Sequence, residues 1–445
     1  MSSRLFESQR YMRDRLRSAL RRGVVGVIDI GSSKISCLIL KVDVERLDAH
    51  RADGLGAQGG LDALRAIGFS STRSRGVSMG EIAVMDETER GIRTVLAQAQ
   101  KHANQRVDQV IVSIAGGQPR SYGVSGEVGV ANGEVSAMDI GAALAACDMP
   151  SFGEGRDVIH AQPVNFTLDH RTGLADPRGQ VGARLSVDMH MLTVSHAAIR
   201  NIAHVVKRCD LDLAGVAVSP YASGLSALVE DEMELGAACV DMGAETTSVS
   251  VFLKRHMIFA DMVRLGGQHI TQDIAQAFAA PVEDAERTKT LHGELQATGM
   301  DDREMLELRR IGADREYERR QISRTELIGV IRPRVEEILE DVRASLDAAG
   351  FEYLPSQRVV LTGGTSQMPG MEDLASRILG RQVRIGRPLR IQGLPLPATA
   401  APFSATVGLA AYAARPQDEC WDFDLPARHG PLRLRRAMRW FKENW

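Results

Sequence analysis

Val27-Ile28-Asp29-Ile30-Gly31-Ser32-Ser33 and, past the middle of the chain, Cys239-Val240-Asp241-Met242-Gly243-Ala244-Glu245-Thr246 are two writings of one pattern, an apolar run that ends in Asp-x-Gly. Such a run reads as a buried strand closing in a tight turn, where a residue without a Cβ lets backbone amides crowd a phosphate. Written twice, it points to two similar halves facing one another across a cleft, each offering one phosphate loop. A single Asp-x-Gly turn is a common loop element; a third glycine loop makes the set specific. That loop is Val359-Val360-Leu361-Thr362-Gly363-Gly364-Thr365, a β-branched run opening into small residues, with a helix expected over 371–379. Strand, glycine turn and helix in that order bring amides and a helix dipole to an anion, or lay backbone against a flat ring.

The 445 residues suffice for two or three domain-sized units and a substantial core. A hydrophobic content of 44%, a charged content of 25% and a formal net charge of -3 fit a soluble globular protein and give no electrostatic footprint of a nucleic-acid partner. Cys37, Cys147, Cys209, Cys239 and Cys420 stand far apart and read as buried thiols of a reducing compartment. The histidines show no metal-ligating spacing, so no dedicated metal-ligand cluster is expected. Residues 1–22 are rich in arginine and lack the apolar core of a signal peptide. The segment 395–414 is interrupted by Pro397 and Pro402, which makes a buried helix over 403–414 the better reading than a membrane span.

Along the chain, 23–40 reads as strand, turn, strand, and 47–68 contains a Gly/Ala-rich stretch expected as an exposed loop. Residues 82–169 form a self-contained pattern of helix 89–102, strands 107–114 and 120–130, helix 135–147 and strand 158–168, expected as a small α/β insert. The flanking segments 23–81 and 170–235 make a first lobe. The second half repeats its logic, with three strands over 237–263 and a helix over 268–279, so that 236–280 and 325–402 make a second lobe. Between them, 281–324 is a small charged subdomain with few apolar residues. A long helix over 324–349 is expected to kink at Pro333, and the 403–414 helix returns to the first lobe.

The two Asp-x-Gly loops, Thr362-Gly363-Gly364 and the linking segments Ser219-Pro220-Tyr221-Ala222 and Ala405-Thr406-Val407-Gly408 together resemble the actin-like ATPase superfamily. Ser74-Arg75-Gly76-Val77 with Gly80-Glu81-Ile82, Ser113-Ile114-Ala115-Gly116, Ile159-His160-Ala161-Gln162-Pro163 and Val383-Arg384-Ile385-Gly386 narrow the likeness to the FtsA family of bacterial cell division. The resemblance covers roughly 23–414 and the last turns of the chain. It implies an actin-like, two-lobed α/β fold with duplicated mixed-sheet domains, the insert, and a C-terminal amphipathic helix. It also implies an ATP site between the lobes. Asp29, Gly31, Ser32 and Ser33 would face the phosphates from one side with Lys34 as adjacent cation. Asp241, Gly243, Ala244 and Thr246 would face them from the other, the aspartates acting through Mg2+ and its waters. Gly266 and Gly267 match the family's next phosphate-side turn, Gly363, Gly364 and Thr365 would lie under the adenosine, and Glu286 and Lys289 would approach ribose or base.

The second loop departs from the pattern of related ATPases, which carry Gly-Gly-Gly-Thr there with an acid two residues later. Here Ala244 and Glu245 bring Cβ atoms, Glu245 adds charge near the phosphates, and Ser248 stands where a carboxylate would orient water. Binding should survive this better than hydrolysis, so turnover is expected to be slow or absent.

On a helix over 431–445, Leu434, Ala437, Met438, Phe441 and Trp445 share a face, Arg433, Arg435, Arg436, Arg439 and Lys442 cover the rest, and Trp440 sits at a flank. This is the make-up of an interfacial membrane helix, and each arginine adds about 1 kcal/mol on anionic lipid. The proline-bearing linker 415–430 would give it reach. Residues 1–22 read as a basic arm, either a second amphipathic helix or a disordered tail.

The resemblance implies a protein that binds ATP, self-associates into filaments, links the FtsZ ring to the cytoplasmic membrane at the division site and recruits later division proteins. The FtsZ tail would dock on the charged subdomain, with Arg315, Arg319, Arg320 and Arg324 as candidate contacts. A sugar kinase of the same superfamily would need a catalytic base and a hydroxyl pocket, neither of which is identifiable. A chaperone would need a peptide-binding domain after 414, and the amphipathic end argues against the pilus-assembly relative.

Overall fold

Val24–Ile30 is buried along almost its whole length because it is a central strand, covered on both faces. Its β-branched residues suit that position. The strands around it run in the order Asp212–Val218, Gln109–Ile114, Val24–Ile30, Lys34–Val42, Leu64–Arg73. A second five-stranded sheet runs Val383–Ile385, Arg358–Thr362, Ala237–Met242, Thr247–Leu253, His256–Val263. In both, the Asp-x-Gly strand pairs antiparallel with its successor and parallel with a strand from much later in the lobe. The duplication read from two heptapeptide-sized motifs is therefore a duplication of sheets. The computed structural model describes residues 2–52, 60–296, 304–309, 319–414 and 419.

A third sheet of four strands, in the order Arg120–Gly129, Arg184–Ser195, Arg156–Leu168, Arg171–Leu174, carries the helix Ala137–Ala146 and has its own small core around Ile140, Leu144, Leu185 and Met191. This corrects the insert expected over 82–169. Gln109–Ile114 belongs to the first-lobe sheet, and the helix Met85–Ala103 packs on that sheet through Ile92, Val95 and Ala99. Conversely, Arg184–Ser195, assigned from sequence to the first lobe, is the central strand of the insert.

Of the two readings of the basic arm, the helix holds. The arginine-rich start is a helix, Ser2–Arg21, whose Leu16, Ala19 and Leu20 are buried in the first-lobe core, so its second half is docked rather than a free tail. The Gly/Ala-rich stretch within 47–68 falls between the helix Val44–Ala52 and the strand Leu64–Arg73, and its residues 53–59 lie outside the described residues. The long helix expected over 324–349 is present as Arg324–Ala348, with Pro333 inside it, and its Leu327, Ile331, Val335, Ile338 and Val342 are buried against the second sheet. The charged subdomain contains the helix Val282–His292 and a hairpin of Met305–Arg309 with Arg319–Ser323.

Two helices cross between the lobes, Ser219–Ala227 and Ser404–Ala414, and every residue of both is buried. Their small residues allow near-contact of backbones: a Cβ added at Gly408 would stand 1.7 Å from the Ala222 carbonyl oxygen. Each helix follows one lobe and serves the other, a reciprocity that sets up the site below.

Candidate functional site

The two Asp-x-Gly turns are the same hairpin. Gly31 N–H donates to the Lys34 carbonyl at 3.0 Å, and Gly243 N–H donates to the Thr246 carbonyl at 2.9 Å. Ser32-Ser33 and Ala244-Glu245 thus form the tips. Asp29 sits across the ladder from Ser36, and Asp241 occupies the equivalent place across from Ser248. Both aspartates lie at the ends of central strands, where an α/β sheet opens its ligand crevice.

Each carboxylate is held by hydroxyls from other elements, two at Asp29 and one at Asp241 among the bonds below. Ser113 donates to Asp29 Oδ1 at 2.6 Å, and Thr406, on the helix that follows the second lobe, donates to Oδ2 at 3.4 Å while its hydroxyl lies 2.6 Å from that of Ser36. Ser223, on the helix that follows the first lobe, donates to Asp241 Oδ2. Burial pushes both carboxyls above the usual aspartate range; the Ser113 hydroxyl and then Lys34 oppose this at Asp29, and the Ser223 hydroxyl opposes it at Asp241, where the Asp29 charge adds to the rise. The Lys34 ammonium lies over the Phe403 ring, 5.0 Å from its centroid. Burial draws its pKa down while both aspartates hold it up. The two lobes therefore bring two carboxylates and one amine into a shared electrostatic field.

The remaining loops meet at one atom. The Gly243 carbonyl accepts from Gly267 N–H at 3.0 Å and from the Thr365 hydroxyl at 2.9 Å. Lys289 Nζ donates to the Gly267 carbonyl at 2.8 Å, to Thr271 at 2.7 Å and to Glu286 at 2.7 Å. At Gly363, with φ +88°, an added Cβ would stand 2.3 Å from Asp241 Oδ1, so this glycine is required by close approach as well as by backbone conformation. At Gly364 nothing lies within 4 Å of an added Cβ. Gly364 is exposed, so this position is open beside Thr365.

All sixteen cleft residues expected from sequence fall in the described part of the protein, and those above are brought together. Two expectations need adjustment. The amides of Gly267 and Gln268 already donate to the Gly243 and Ala244 carbonyls, and Gly266 N–H donates to His269 Nδ1, so this turn has spent its amides within the protein. Glu245, expected to crowd the phosphates, reaches across to the first lobe instead, where its carboxylate accepts from Met79 N–H, while Gly80 N–H donates to Ser32 Oγ at 3.1 Å. Sequence reasoning assigned no role to Ser113, Ser223, Thr271 or Thr406. The available signal was position, since Ser113 closes a parallel strand beside Asp29 and the others sit one turn into helices that begin next to the cleft.

The partner and membrane candidates fare differently. Arg324 is engaged with Glu294 at 2.8 Å and Glu304 at 2.7 Å, and the exposed Arg320 lies over the Phe278 ring at 5.4 Å. Arg319 pairs through its backbone with Arg309. Arg315 and the 431–445 segment, with Arg433, Leu434, Arg435, Arg436, Met438, Arg439, Trp440, Phe441, Lys442 and Trp445, lie outside the described residues. Among the described residues no helix is long and apolar enough to cross a membrane.

Comparison with known proteins agrees with this architecture. A family model described as cell division protein FtsA matches residues 238–408, and one described as an SHS2 domain inserted in FtsA matches 116–193, the span of the four-stranded sheet. The cell division protein FtsA of Agrobacterium fabrum is 37% identical over 437 residues, 96% of this chain and 96% of that protein. Among solved structures, the PilM-PilN type IV pilus biogenesis complex is similar with a TM-score of 0.60 at 15% identity, covering 88% of this chain and 99% of that one. MreB5 of Spiroplasma citri bound to ADP follows with a TM-score of 0.51 at 12% identity, covering 87% and 95%. The duplicated sheets give the chain an actin-like fold, and its near full-length identity to curated relatives means that it belongs to the FtsA family of cell division proteins.

Proposed function

We propose that this chain binds ATP with Mg2+ between its lobes and acts as a nucleotide-stabilised scaffold that tethers FtsZ to the cytoplasmic face of the membrane. The observation that carries the nucleotide reading is the pair of aspartates, Asp29 buried and Asp241 half-buried, presented by equivalent hairpins and both acting on Lys34 of the first hairpin. Burial disfavours their ionisation. A divalent cation between them would reverse that penalty, as bound cations do for oxygen ligands. Ser32, Ser33, Ala244 and Thr246 would line the phosphates with Lys34 as counter-charge, and Gly363, Gly364, Thr365, Glu286 and Lys289 would take the nucleoside. A bound ATP would touch both lobes and so hold them together, which is the work of a structural ligand. With Ser248 at the position of a water-orienting acid, turnover is expected to be slow.

Glu245 offers a test of the charge argument. Glu245→Gln keeps an acceptor for Met79 N–H and removes a negative charge, so ATP affinity measured by calorimetry should rise about threefold, the size expected of one partly exposed charge. Glu245→Gly also removes the bond across the cleft and should speed nucleotide release in stopped-flow displacement. Unchanged affinity in both variants would remove charge and crowding from the account.

Filament formation, recruitment of later division proteins, docking of the FtsZ tail near Arg319, Arg320 and Arg324, and membrane attachment through 431–445 complete the reading; they rest on family membership and on the amphipathic composition of the end. Co-sedimentation with vesicles containing phosphatidylglycerol tests it. The full chain should carry FtsZ into the pellet, less so as salt rises, and a chain lacking the last fifteen residues should leave it in solution. FtsZ that stays soluble with the full chain would overturn the tethering role.

A further inference from the structure

Five residues beyond the end of the Ser404–Ala414 helix, Glu419 is fully buried. Its Oε1 lies 2.8 Å from Nδ1 of His160, also fully buried, on the insert strand Arg156–Leu168. The other ring nitrogen fixes the proton. Val218 N–H points at His160 Nε2 at 3.2 Å, and an amide can only donate, so Nε2 is bare, the ring proton is on Nδ1, and it is donated to Glu419. Burial, with a smaller push from His190, holds this imidazole down to about 3, which keeps it neutral. The rings of Tyr221 and Tyr412 stand edge-on to it, at 4.9 and 6.1 Å.

A carboxylate from a segment with the composition of a linker does not enter a core without cause, because burying it unpartnered would cost several kcal/mol. The strand face that receives it is prepared for polar company. Gln162, two residues from His160 and hence on the same face, is buried with neither amide atom paired among the described residues, and its cross-strand neighbour is the buried His190.

The position of His160 gives the contact its reach. Val218 is the residue before the Ser219–Ala227 helix, which is buried throughout, and Ser223 on that helix donates to Asp241 in the cleft. Ser226 of the same helix donates to the Ser404 carbonyl at 2.6 Å, at the start of the helix that leads to Glu419. One short rigid helix thus carries the His160 bond at its entrance and the Asp241 bond little more than a turn later.

We propose that Glu419 seated on His160 is a latch that couples the C-terminal segment to the nucleotide cleft through the Ser219–Ala227 helix. The coupling rests on the ATP reading above. With the latch closed, the helix is fixed and Ser223 is pre-organised on Asp241, so the closed latch and bound nucleotide favour one another. By linkage the effect is reciprocal: nucleotide favours Glu419 on His160, and that contact tightens nucleotide.

The test uses the full chain as wild type, Glu419→Ala and Glu419→Gln, with ATP and Mg2+ as probe. Glu419→Ala should weaken ATP roughly fivefold, at the lower end of typical coupling, and should raise amide exchange in the 411–419 peptide about tenfold without nucleotide. Glu419→Gln, which keeps an acceptor for Nδ1–H, should stay near wild type in both. ATP should slow exchange of that peptide in wild type and leave it unchanged in Glu419→Ala. If Glu419→Ala speeds exchange but binds ATP as wild type does, the coupling is overturned while the ATP site stands. If exchange is unchanged, the latch itself is overturned. If wild type fails to bind ATP, the nucleotide reading falls first, and the coupling with it.

Discussion

Replacing Gly408 by alanine should lower the melting temperature by about 10 °C, followed by circular dichroism, and Gly408→Val should leave little soluble protein. The added Cβ would stand 1.7 Å from the Ala222 carbonyl oxygen, 2.3 Å from its carbon and 2.9 Å from Cα. All three are backbone atoms of a buried helix, so no side chain can swing aside. The two crossing helices would have to separate, opening the seam where both lobes meet. Overpacking in a well-filled core costs about 1–3 kcal/mol when side chains can adjust, and this case lies at or above the upper end because only backbone can move. Gly329→Ala is the control. That glycine is exposed inside the long helix with nothing within 4 Å of an added Cβ, so the change should be neutral or stabilising by up to about 1 kcal/mol. Equal melting of Gly408→Ala and wild type would show that the helices do not cross as described.

The second large effect separates folding from binding at adjacent positions. Gly364→Leu should abolish ATP binding, by roughly a hundredfold or more, while the melting temperature stays within a degree or two, an energy of about 3 kcal/mol withdrawn from binding alone. Gly364 has φ -65° and ψ -41°, a conformation open to any residue, and its Cβ would enter empty space; a leucine there fills the cradle assigned to the nucleoside. Gly363→Ala should fail differently. Its backbone is left-handed and its Cβ would meet Asp241 Oδ1 at 2.3 Å and the Met242 carbonyl at 2.5 Å, so stability and binding should fall together. Isothermal titration beside thermal melting reads both. ATP affinity that survives Gly364→Leu would move the nucleoside away from this loop.

What could be read without coordinates was whatever a few neighbouring residues decide. Asp29, Gly31, Asp241, Gly243 and Gly363 announce themselves because strand, carboxylate and tight turn are local properties. Strand membership is not local. Gln109–Ile114 and Arg184–Ser195 both read as strands, yet nothing in either run says which sheet it joins, and the insert boundary was misplaced for that reason. The bonds that hold the aspartates were not legible either, although Ser113 and Thr406 stand in the quoted motifs, since Ser113, Ser223 and Thr406 act across 84, 18 and 377 residues of chain. The docking of Leu16, Ala19 and Leu20 depended on a groove beside Asp212–Val218 that the N-terminal sequence cannot reveal. Glu419 was hidden in the same way, as one acid among many in a linker until its partner came into view.

The exchange of helices between lobes also fixes when the cleft can come into being. Asp29 is made 377 residues before Thr406, which bonds to it and lies against the Ser36 hydroxyl. Contacts between ends so far apart in the chain are costly to close and form late. A nascent or truncated chain can therefore own both glycine hairpins and still lack a finished first half of its pocket.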